Sequence, residues 1–228
     1  MDLGLNIAAS GMLAEQVQED ELANDLANAS TPGYKPESST TQSFGQMLLQ
    51  NTLTGQQIGS IDTGVEIMKG KTDLAQGPLE MTGQPLNFAI TGSGFFAVKT
   101  SGGIEYTRNG QFSKNSSGLL VDQDGDEVLS AGGAPIKVGA DGTVPTTALG
   151  VFNVDNPSQL GNNNFSGTKA GLASGVVQTG ELEGSGIDSI QAMVGMESAL
   201  NAYTAGQQTI STISQTMQEA ASSVAEIQ

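Results

Sequence analysis

The chain has 228 residues, of which 24 are Asp or Glu and only 8 are Lys or Arg, so its formal net charge is −16. This balance argues against binding to nucleic acid and to anionic membrane surfaces, because both attract Lys and Arg; it equally fits an acidic or salt-adapted proteome. The absence of Cys excludes disulfides and thiolate metal sites, and the absence of His removes the commonest general base. No apolar run approaches the length of a membrane span, so we expect no membrane insertion.

The N-terminal segment, residues 1–34, contains neither Lys nor Arg, and its apolar spacing predicts a helix over residues 3–30. Pro32 and Gly33 predict the end of this helix, because proline disfavours helical geometry before it and glycine adopts the left-handed turn. The first residues lack the basic and hydrophobic stretches of a secretory signal peptide, so we expect a cytoplasmic protein or export without a cleavable signal. The apolar seam consists of Leu5, Ala8, Met12, Leu22, Leu26 and Ala29.

Residues 35–80 predict an extended or mobile connection. The segment from Lys35 to Ser43 is polar and is expected to be extended, whereas Phe44 to Leu53 predicts a short helix. The stretch from Thr54 to Thr63 is rich in Gly, Gln and Ser and predicts a mobile loop.

Residues 81–155 predict a β-rich domain, because short apolar runs alternate there with glycine turns. Asn109-Gly110 and Asp124-Gly125 favour tight hairpins, since both residues of each pair tolerate positive φ. The runs that predict strands in and just before this domain are Val65–Met68, Leu86–Ile90, Phe95–Val98, Ile104–Thr107, Leu119–Val121, Glu127–Leu129, Ile136–Val138 and Leu149–Val154.

Residues 156–184 are rich in Asn, Gly and Ser and predict a linker, and residues 185–228 then predict a long C-terminal helix. One heptad frame through that helix contains no charged residue, which indicates a helix that packs against other helices. A core-facing amphipathic helix is the alternative, but the length of the pattern favours assembly. The fold class is therefore α+β, with N- and C-terminal helices that pack as a coiled-coil-like bundle and a central all-β domain of short strands. The frame consists of Met196, Tyr203, Ile210, Met217 and Val224 at one position and Ala199, Gly206, Ile213, Ala220 and Ile227 at the other.

Two motifs imitate ligand sites. The Gly92-x-Gly94-x-x-Ala97 pattern resembles a dinucleotide fingerprint, but the residues after it predict a strand where the fingerprint needs a helix. Residues 122–126 imitate the start of a calcium loop, yet Glu127 and Gly133 stand where an EF-hand needs Gly and Glu. No Gly-x-Ser-x-Gly elbow occurs. We therefore expect no enzyme activity, no cofactor and no metal, with weak adventitious Ca²⁺ binding left open.

Five further segments of the chain have the character of family motifs. Residues 9–12 read ASGM and residues 22–35 read LANDLANASTPGYK. Residues 85–98, PLNFAITGSGFFAV, place a Gly-x-Gly-Phe-Phe after a strand, and residues 106–112 read YTRNGQF. Residues 182–203 contain LEGSGI, MVGM and an Ala-Tyr pair. In this order, the segments resemble bacterial flagellar rod and hook proteins over both ends and the middle of the chain.

The resemblance implies a fold and a function. Members of that family form the rod of the basal body within the cell envelope, with terminal helices packed as an inner tube and a β domain outside. The implied partners are further copies of the chain, other rod and hook subunits, and the flagellar type III export apparatus. The length favours a rod subunit; proximal and distal rod both remain open. The alternatives are a hook-type subunit, a secreted adhesin or surface protein with a coiled-coil stalk, and a small glycan-cleaving enzyme.

The apolar seams of the two helices and residues 22–35, which we call the signature segment, together predict an assembly interface. Because residues 1–34 and 170–228 contain no Lys or Arg, the two helices of one chain cannot form ion pairs with each other. We hypothesise that they are largely disordered in the monomer and order on assembly. The predicted interface residues are Leu5, Met12, Leu22, Asn24, Leu26, Asn28, Met196, Tyr203, Ile210, Ile213, Met217, Val224 and Ile227.

Overall fold

A computed structural model describes residues 2–43, 46–50, 57–62, 64–68, 70, 72–161 and 163–225. The chain divides into two compact units. The first, which we call the helical unit, comprises residues 1–26, 37–71 and 189–228. The second, which we call the β unit, comprises residues 27–36 and 72–188. The α+β class predicted from the sequence is confirmed.

Within its described residues, the helical unit contains two long helices and two antiparallel pairs of strands. Helix α1 spans Asp2–Ala27 and helix α2 spans Ser189–Ala225, close to the predicted bounds of both. Strand β1 (Thr40–Ser43) pairs with β4 (Val65–Met68), and β2 (Gln46–Gln50) pairs with β3 (Gln57–Asp62). Among the described residues, neither helix combines the length and the apolar character that a membrane span requires.

Two predictions in this part of the chain are wrong. The helix predicted from Phe44 to Leu53 is a strand over Gln46–Gln50, and the loop predicted from Thr54 to Thr63 contains strand β3 over Gln57–Asp62. Short apolar runs do not distinguish a helix from a strand. Here the two segments pair with each other, and this pairing decides the conformation. The ends of both predictions, at residues 44–45, 51–56 and 63, lie outside the described residues.

The described residues of the β unit form eleven strands, all paired antiparallel. Seven of them form one sheet in the order β12-β13-β8-β7-β11-β10-β9, and β12 also pairs with β7, which closes a ring of four strands. Two smaller pairs, β14 with β6 and β15 with β5, complete the unit. The strands are β5 (Leu79–Met81), β6 (Phe88–Thr91), β7 (Phe95–Thr100), β8 (Gly103–Thr107), β9 (Ser113–Lys114), β10 (Leu120–Val121), β11 (Glu127–Val128), β12 (Val151–Gly161), β13 (Asn164–Leu172), β14 (Val176–Thr179) and β15 (Glu181–Glu183).

The core of the β unit lies on both faces of β7. Phe96 and Val98 pack into one apolar cluster, whereas Phe95 and Ala97 pack into another. This division follows from strand geometry, because successive side chains point to opposite faces. A run that is apolar at every position therefore marks a strand buried on both sides.

The predicted linker over residues 156–184 is wrong. These residues hold most of β12 and the whole of β13, β14 and β15. The Asn, Gly and Ser content reflects register shifts between β12 and β13, where Asn156 adopts a φ of 49°. Polar composition predicts loops only where no sheet pairing overrides it.

The two predicted hairpin turns have different outcomes in the structure. Gly125, with a φ of 91°, lies in the turn that joins β10 to β11, but Asp124 is not among the residues with positive φ, so only the glycine of this pair behaves as predicted. Asn109-Gly110 does not form the predicted tight hairpin, because Gly110 lies against the backbone of Phe88. A Cβ atom at Gly110 would lie 1.6 Å from the carbonyl oxygen of Phe88, so glycine serves a close backbone approach there.

Candidate assembly interface

The two helices of the helical unit pack antiparallel. A Cβ atom added to Gly206 would lie 2.6 Å from Met12 Cγ, and one added to Gly195 would lie 3.1 Å from Leu22 Cδ1. Nearer the start of α1, a Cβ on Gly4 would lie 3.8 Å from Ile213 Cδ1. The position on α2 falls as the position on α1 rises, so these contacts define one continuous antiparallel seam.

Most of the predicted seam residues lie on this buried side. The interface residues that are half-buried are Leu5, Met12, Leu22, Leu26, Asn28, Met196, Tyr203, Ile210, Ile213 and Met217. Asn24 and Ala220 are exposed, although each has an interaction in the structure. Val224 lies in α2 without a described side chain, and Ile227 lies outside the described residues. The structure therefore uses the seam within one chain, and its use between chains stays a prediction.

Little of this seam is fully covered. Among the described residues of the helical unit, the buried hydrophobic side chains are Ala14, Ala192 and Ala199. The larger seam residues keep part of their surface open to solvent. Since apolar burial provides about 25 cal/mol per Å², three buried alanines contribute little to stability. The helix pair thus presents apolar surface that further helices could cover.

A second apolar surface on α2 was missed by the heptad frame. Ile190, Met193, Val194 and Leu200 are all exposed, and Ile190 is 74% exposed. Met193 and Val194 follow Ile190 by three and four residues, and Leu200 follows Met193 by seven, so all four lie on one face of the helix. The spacing of these residues is visible in the sequence, but the heptad frame through Met196 and Ala199 does not include them. We call these four residues the outer stripe.

Side chains of α1 hold the β1–β4 strand pair of the helical unit. Glu21 accepts hydrogen bonds from the backbone N–H and the hydroxyl of Ser39, at 3.0 and 2.7 Å. Ser10 accepts one from the backbone N–H of Val65 at 3.2 Å. All three bonds use carboxylate or hydroxyl oxygens as acceptors, so this strand pair is anchored without a basic residue.

The end of the signature segment is fixed inside the β unit. Gly33 adopts a φ of 70°, as its position after the helix predicts, and its N–H donates to the carbonyl oxygen of Glu183 at 2.8 Å. A Cβ atom there would lie 2.5 Å from the backbone of Arg108 and Asn109. Asn163, in the turn between β12 and β13, donates to the carbonyl oxygen of Pro32 at 2.9 Å. At position 33, only glycine combines the positive φ of the turn with the close approach to the backbone of Arg108 and Asn109.

A buried ion cluster, which we call the Glu183 cluster, lies beside this segment. It consists of Lys35, Arg108 and Glu183, and the side chains of Lys35 and Glu183 are fully buried. One carboxylate oxygen of Glu183 binds the ammonium of Lys35, and the other accepts from Arg108 Nη1 at 3.0 Å.

Further bonds complete the cluster. Glu183 also accepts the N–H of Gly77 at 2.9 Å, while Arg108 Nη2 donates to the carbonyl oxygen of Gly92 at 2.8 Å. Sequence reasoning missed this cluster, although each charged residue lies in a different one of the resembling segments. Two cations share one carboxylate, so the carboxylate is the residue on which the cluster depends.

The motifs that imitate ligand sites have structural roles. Residues after Gly94 form strand β7, as expected, so they do not supply a helix N-terminus for a pyrophosphate. Asp122 accepts the backbone N–H groups of Asp124 and Asp126, at 3.0 and 2.8 Å, within the turn between β10 and β11. Within the described ranges, no three His, Cys, Asp or Glu side chains gather as a metal site.

The pKa values of Asp122, Asp126 and Asp141 in the β unit are shifted from the ordinary value of an aspartate. Burial raises the pKa of Asp122, the charges of Asp126 and Asp124 add to the effect, and the backbone hydrogen bonds oppose it. Burial also raises the pKa of Asp126, beside the charges of Asp124 and Glu105. Hydrogen bonds from Thr143 lower the pKa of Asp141. Burial raises the pKa of Tyr106 as well.

Three family models match this chain in order. The flagella basal body rod protein model matches residues 5–35, which include most of α1 and the signature segment. The flagellar hook protein FlgE/F/G D1 domain model matches residues 89–157 of the β unit. The flagellar basal body rod FlgEFG protein C-terminal model matches residues 178–223, which include β15 and most of α2.

Curated relatives agree with these models. The flagellar basal-body rod protein FlgG of Agrobacterium fabrum is 30% identical over 249 residues, which cover 91% of this chain and 94% of the relative. The rod protein FlgF of Mesorhizobium japonicum is 36% identical over 171 residues, or 68% of this chain and 66% of the relative. FlgF of Caulobacter vibrioides is also 36% identical, over 165 residues and 65% of its length.

The terminal helices and the β unit therefore both match models of flagellar rod and hook proteins. The chain belongs to the family of flagellar basal-body rod proteins. It spans 65–66% of the length of the FlgF relatives named above and 94% of the FlgG relative.

Proposed function

We propose that this chain is a structural axial subunit of the flagellar basal-body rod. It assembles with further copies through its terminal helices into a tubular shaft that transmits torque from motor to hook. The observation that carries the proposal is the helix pair, in which the described hydrophobic side chains that are fully buried are three alanines. A helix of 37 residues with so little buried surface gains most of its stability from neighbouring helices.

The relatives support a rod rather than the alternatives. Matches that extend over more than 90% of both chains carry the name of a rod protein. A hook-type subunit and a secreted adhesin are correspondingly less favoured. The curated relatives are named as components of the flagellum, which favours a structural role over catalysis.

Apolar and amide contacts would hold the tube together. The absence of Lys and Arg from both helices leaves no ion pairs between copies of them, and like charges repel as the copies approach. The outer stripe of α2 would then pack on the helices of a neighbouring copy. Exposed amides and hydroxyls at Asn201, Gln207 and Thr212 add polar contacts between stacked copies. High salt favours this assembly, because it screens the repulsion.

Export precedes assembly in this proposal. The chain passes unfolded through the flagellar type III export apparatus and meets other rod and hook subunits at the growing end. Helices that gain their stability from neighbouring copies are suited to this order of events, because little free energy is needed to unfold them before export. The shaft itself lies in the cell envelope, as the basal-body location of the named relatives supports.

A deletion strain tests the function directly. Removal of the gene is expected to give non-motile cells whose basal bodies lack a complete rod when they are examined by electron microscopy. Expression of the intact chain from a plasmid should restore both properties. An intact, rotating flagellum in the deletion strain would overturn the proposal.

A seam variant tests the role of the helices. Ile213 packs near the start of α1, so Ile213→Asp puts a charge into the seam and is expected to abolish rod assembly in the complemented deletion strain. The β unit should stay folded, because its core contains no residue of α2. The matched control is Gln215→Asp, which adds the same charge on the exposed face of α2. Normal rods with Ile213→Asp would contradict the use of the seam in assembly.

A further inference from the structure

The β unit has a pocket beside the Glu183 cluster, which we call the Arg108 pocket. Its volume is about 320 Å³. Among the nine described residues that line it, Arg108 is the one that carries a charge. Side chains with neutral hydrogen-bond donors complete the polar part of the wall, at Gln76, Ser93 and Asn153. A cavity lined by one cation and several neutral donors suits an anion.

Arg108 lines this pocket with part of its hydrogen-bonding capacity unused. The residue is 3% exposed, and buried polar groups in proteins are normally hydrogen-bonded. Arg108 Nη1 donates to Glu183, and Nη2 donates to the carbonyl oxygen of Gly92. Arg108 Nε has no acceptor among the described residues. A buried charged donor without an acceptor is costly, so an acceptor that enters the pocket would form a strong bond there.

Two residues of the pocket wall hold the guanidinium in place. Gly92, with a φ of 100°, presents its carbonyl oxygen to Arg108 Nη2 at 2.8 Å. The ring centroid of Phe95 lies 5.3 Å from Arg108 Cζ, which is a cation–π distance. Gly92 and Phe95 both line the pocket, so the guanidinium lies at its wall. Because the arginine is already held, an occupant would not have to order it on binding.

The charge of the adjoining Glu183 cluster also favours an anion. In the described ion pairs, Lys35 and Arg108 share the carboxylate of Glu183, so the cluster has an excess of one formal positive charge. The side chains of Lys35 and Glu183 are fully buried, so solvent and salt screen this excess poorly. None of the described residues that line the pocket is Asp or Glu. An anion in the pocket would balance the cluster, whereas a cation would be repelled.

We propose that the Arg108 pocket binds a carboxylate group, which accepts a hydrogen bond from Arg108 Nε. Carboxylates form charge-assisted hydrogen bonds with arginine, and one negative charge matches the single positive excess of the cluster. The group has two possible sources, a free small carboxylate or an acidic side chain of another copy of this chain, which has 24 of them. The site does not depend on the proposed function, although the second source does.

Nuclear magnetic resonance of the Nε–H group tests the site directly, because Arg108 is the only arginine in the sequence. The isotopically labelled full chain is titrated with sodium acetate at constant ionic strength, and the matched control is acetamide, which has a similar shape without the charge. We expect the Arg108 Nε–H signal to shift with acetate, with a Kd of about 10 mM, and not with acetamide. No shift with acetate, or equal shifts with both, would overturn the proposal. A larger shift with sulfate would overturn the assignment to a carboxylate.

A carboxylate built into the wall should occupy the pocket from within the chain. Asn153 is exposed and lines the pocket, so Asn153→Asp should shift the Arg108 Nε–H signal without acetate and weaken acetate binding about tenfold. The matched control is Asn156→Asp, which adds the same charge at another exposed position of β12, with a positive φ that aspartate tolerates. Acetate binding that is equally strong in the two variants would overturn the site.

Cross-linking in isolated basal bodies distinguishes the two sources. Asn153→Lys puts an amine at the pocket, and a carbodiimide joins that amine to a contacting carboxylate as an amide, taking up the water that is lost. Multimers of the chain that form with Asn153→Lys, and not with Asn156→Lys, assign the carboxylate to another copy. Without such multimers, the shift with acetate assigns a free small carboxylate. A motile deletion strain would overturn the proposed function and leave the carboxylate site standing.

Discussion

The helical unit and the β unit differ in what lies inside them. In the β unit, two apolar clusters contain buried aromatic side chains, including Phe88, Phe96 and Phe165, and a fully buried carboxylate binds two cations. In the described part of the helical unit, the buried hydrophobic side chains are alanines. The β unit thus has its stabilising contacts within the chain, whereas the helical unit has apolar surface that its own side chains leave partly exposed.

This difference suggests that the two units of the chain have different roles in the assembled rod. A β unit that is stable alone provides a fixed body for each subunit. A helical unit of low stability becomes ordered when copies meet, and its folding free energy is then part of the assembly free energy. The absence of Lys and Arg from both helices strengthens the effect, because repulsion within the unassembled pair has no compensating ion pairs.

Hydrogen exchange on the free monomer gives the largest contrast between the units. Amides of α1 and α2 are expected to exchange at least about a thousandfold faster than amides of β7 and β8, because local opening costs little where few apolar contacts are buried. Mass spectrometry of peptides from the full chain measures both regions in one sample. Assembled rods provide the control, in which the helical amides should become slow. Slow exchange throughout both helices of the monomer would contradict the hypothesis of ordering on assembly.

Loss of the carboxylate in the Glu183 cluster should destabilise the β unit strongly. Glu183→Gln leaves Lys35 and Arg108 buried without a counter-charge, and we expect a loss of about 3–5 kcal/mol in the free energy of unfolding. Urea unfolding followed by tyrosine fluorescence measures this loss, since Tyr34 and Tyr106 are buried in the β unit.

An exposed ion pair of the same unit supplies the control. Glu127 and Lys99 lie 3.7 Å apart on neighbouring strands, and the Lys99 side chain is mostly exposed. Glu127→Gln should cost less than about 1 kcal/mol, because solvent screens such pairs. Equal losses in the two variants would show that the buried cluster has no special role in the stability of the β unit.

Glycines on α1 and α2 test how closely the helices pack. Gly11 has open space around its Cα, so Gly11→Ala should stabilise α1 by about 1 kcal/mol through helix propensity alone. Gly206→Ala should give no gain, because the new methyl group would meet Met12 at 2.6 Å. Thermal melting of the helical circular dichroism signal compares the two variants. In a Met12→Ala background, Gly206→Ala should recover the gain, and a gain in both backgrounds would argue against close packing there.

The long-range features could not be read from the sequence. The α2 seam was predictable because its residues repeat every three or four positions within one helix. By contrast, Lys35 and Glu183 are 148 residues apart, and nothing local marks them as partners. The same reason explains the failures at β2 and β3, and at residues 156–184, where pairing with a distant strand overrides local composition.

The smallest expected effect concerns two aspartates that titrate in opposite directions. The raised pKa of Asp122 means that the folded state holds its proton more tightly than the unfolded chain, whose pKa is about 3.9. The free energy of unfolding therefore falls as pH rises through the interval between the two values, and the loss persists at neutral pH. Asp122→Asn keeps an oxygen for the turn and removes the charge. This substitution should increase the free energy of unfolding more at pH 7 than at pH 3.

Asp141 provides the opposite sign within the same unit. Hydrogen bonds from the Thr143 hydroxyl and backbone N–H lower the pKa of Asp141, so its contribution is present above the unfolded value and is lost as pH falls through the folded value. Asp141→Asn should therefore lower stability at pH 7 and leave it nearly unchanged at low pH. Urea midpoints of both variants at pH 3, 5 and 7 measure the two slopes. Because both sites lie in the β unit, slopes of the same sign would show that the unit's overall acidity, rather than these local contacts, governs its pH response.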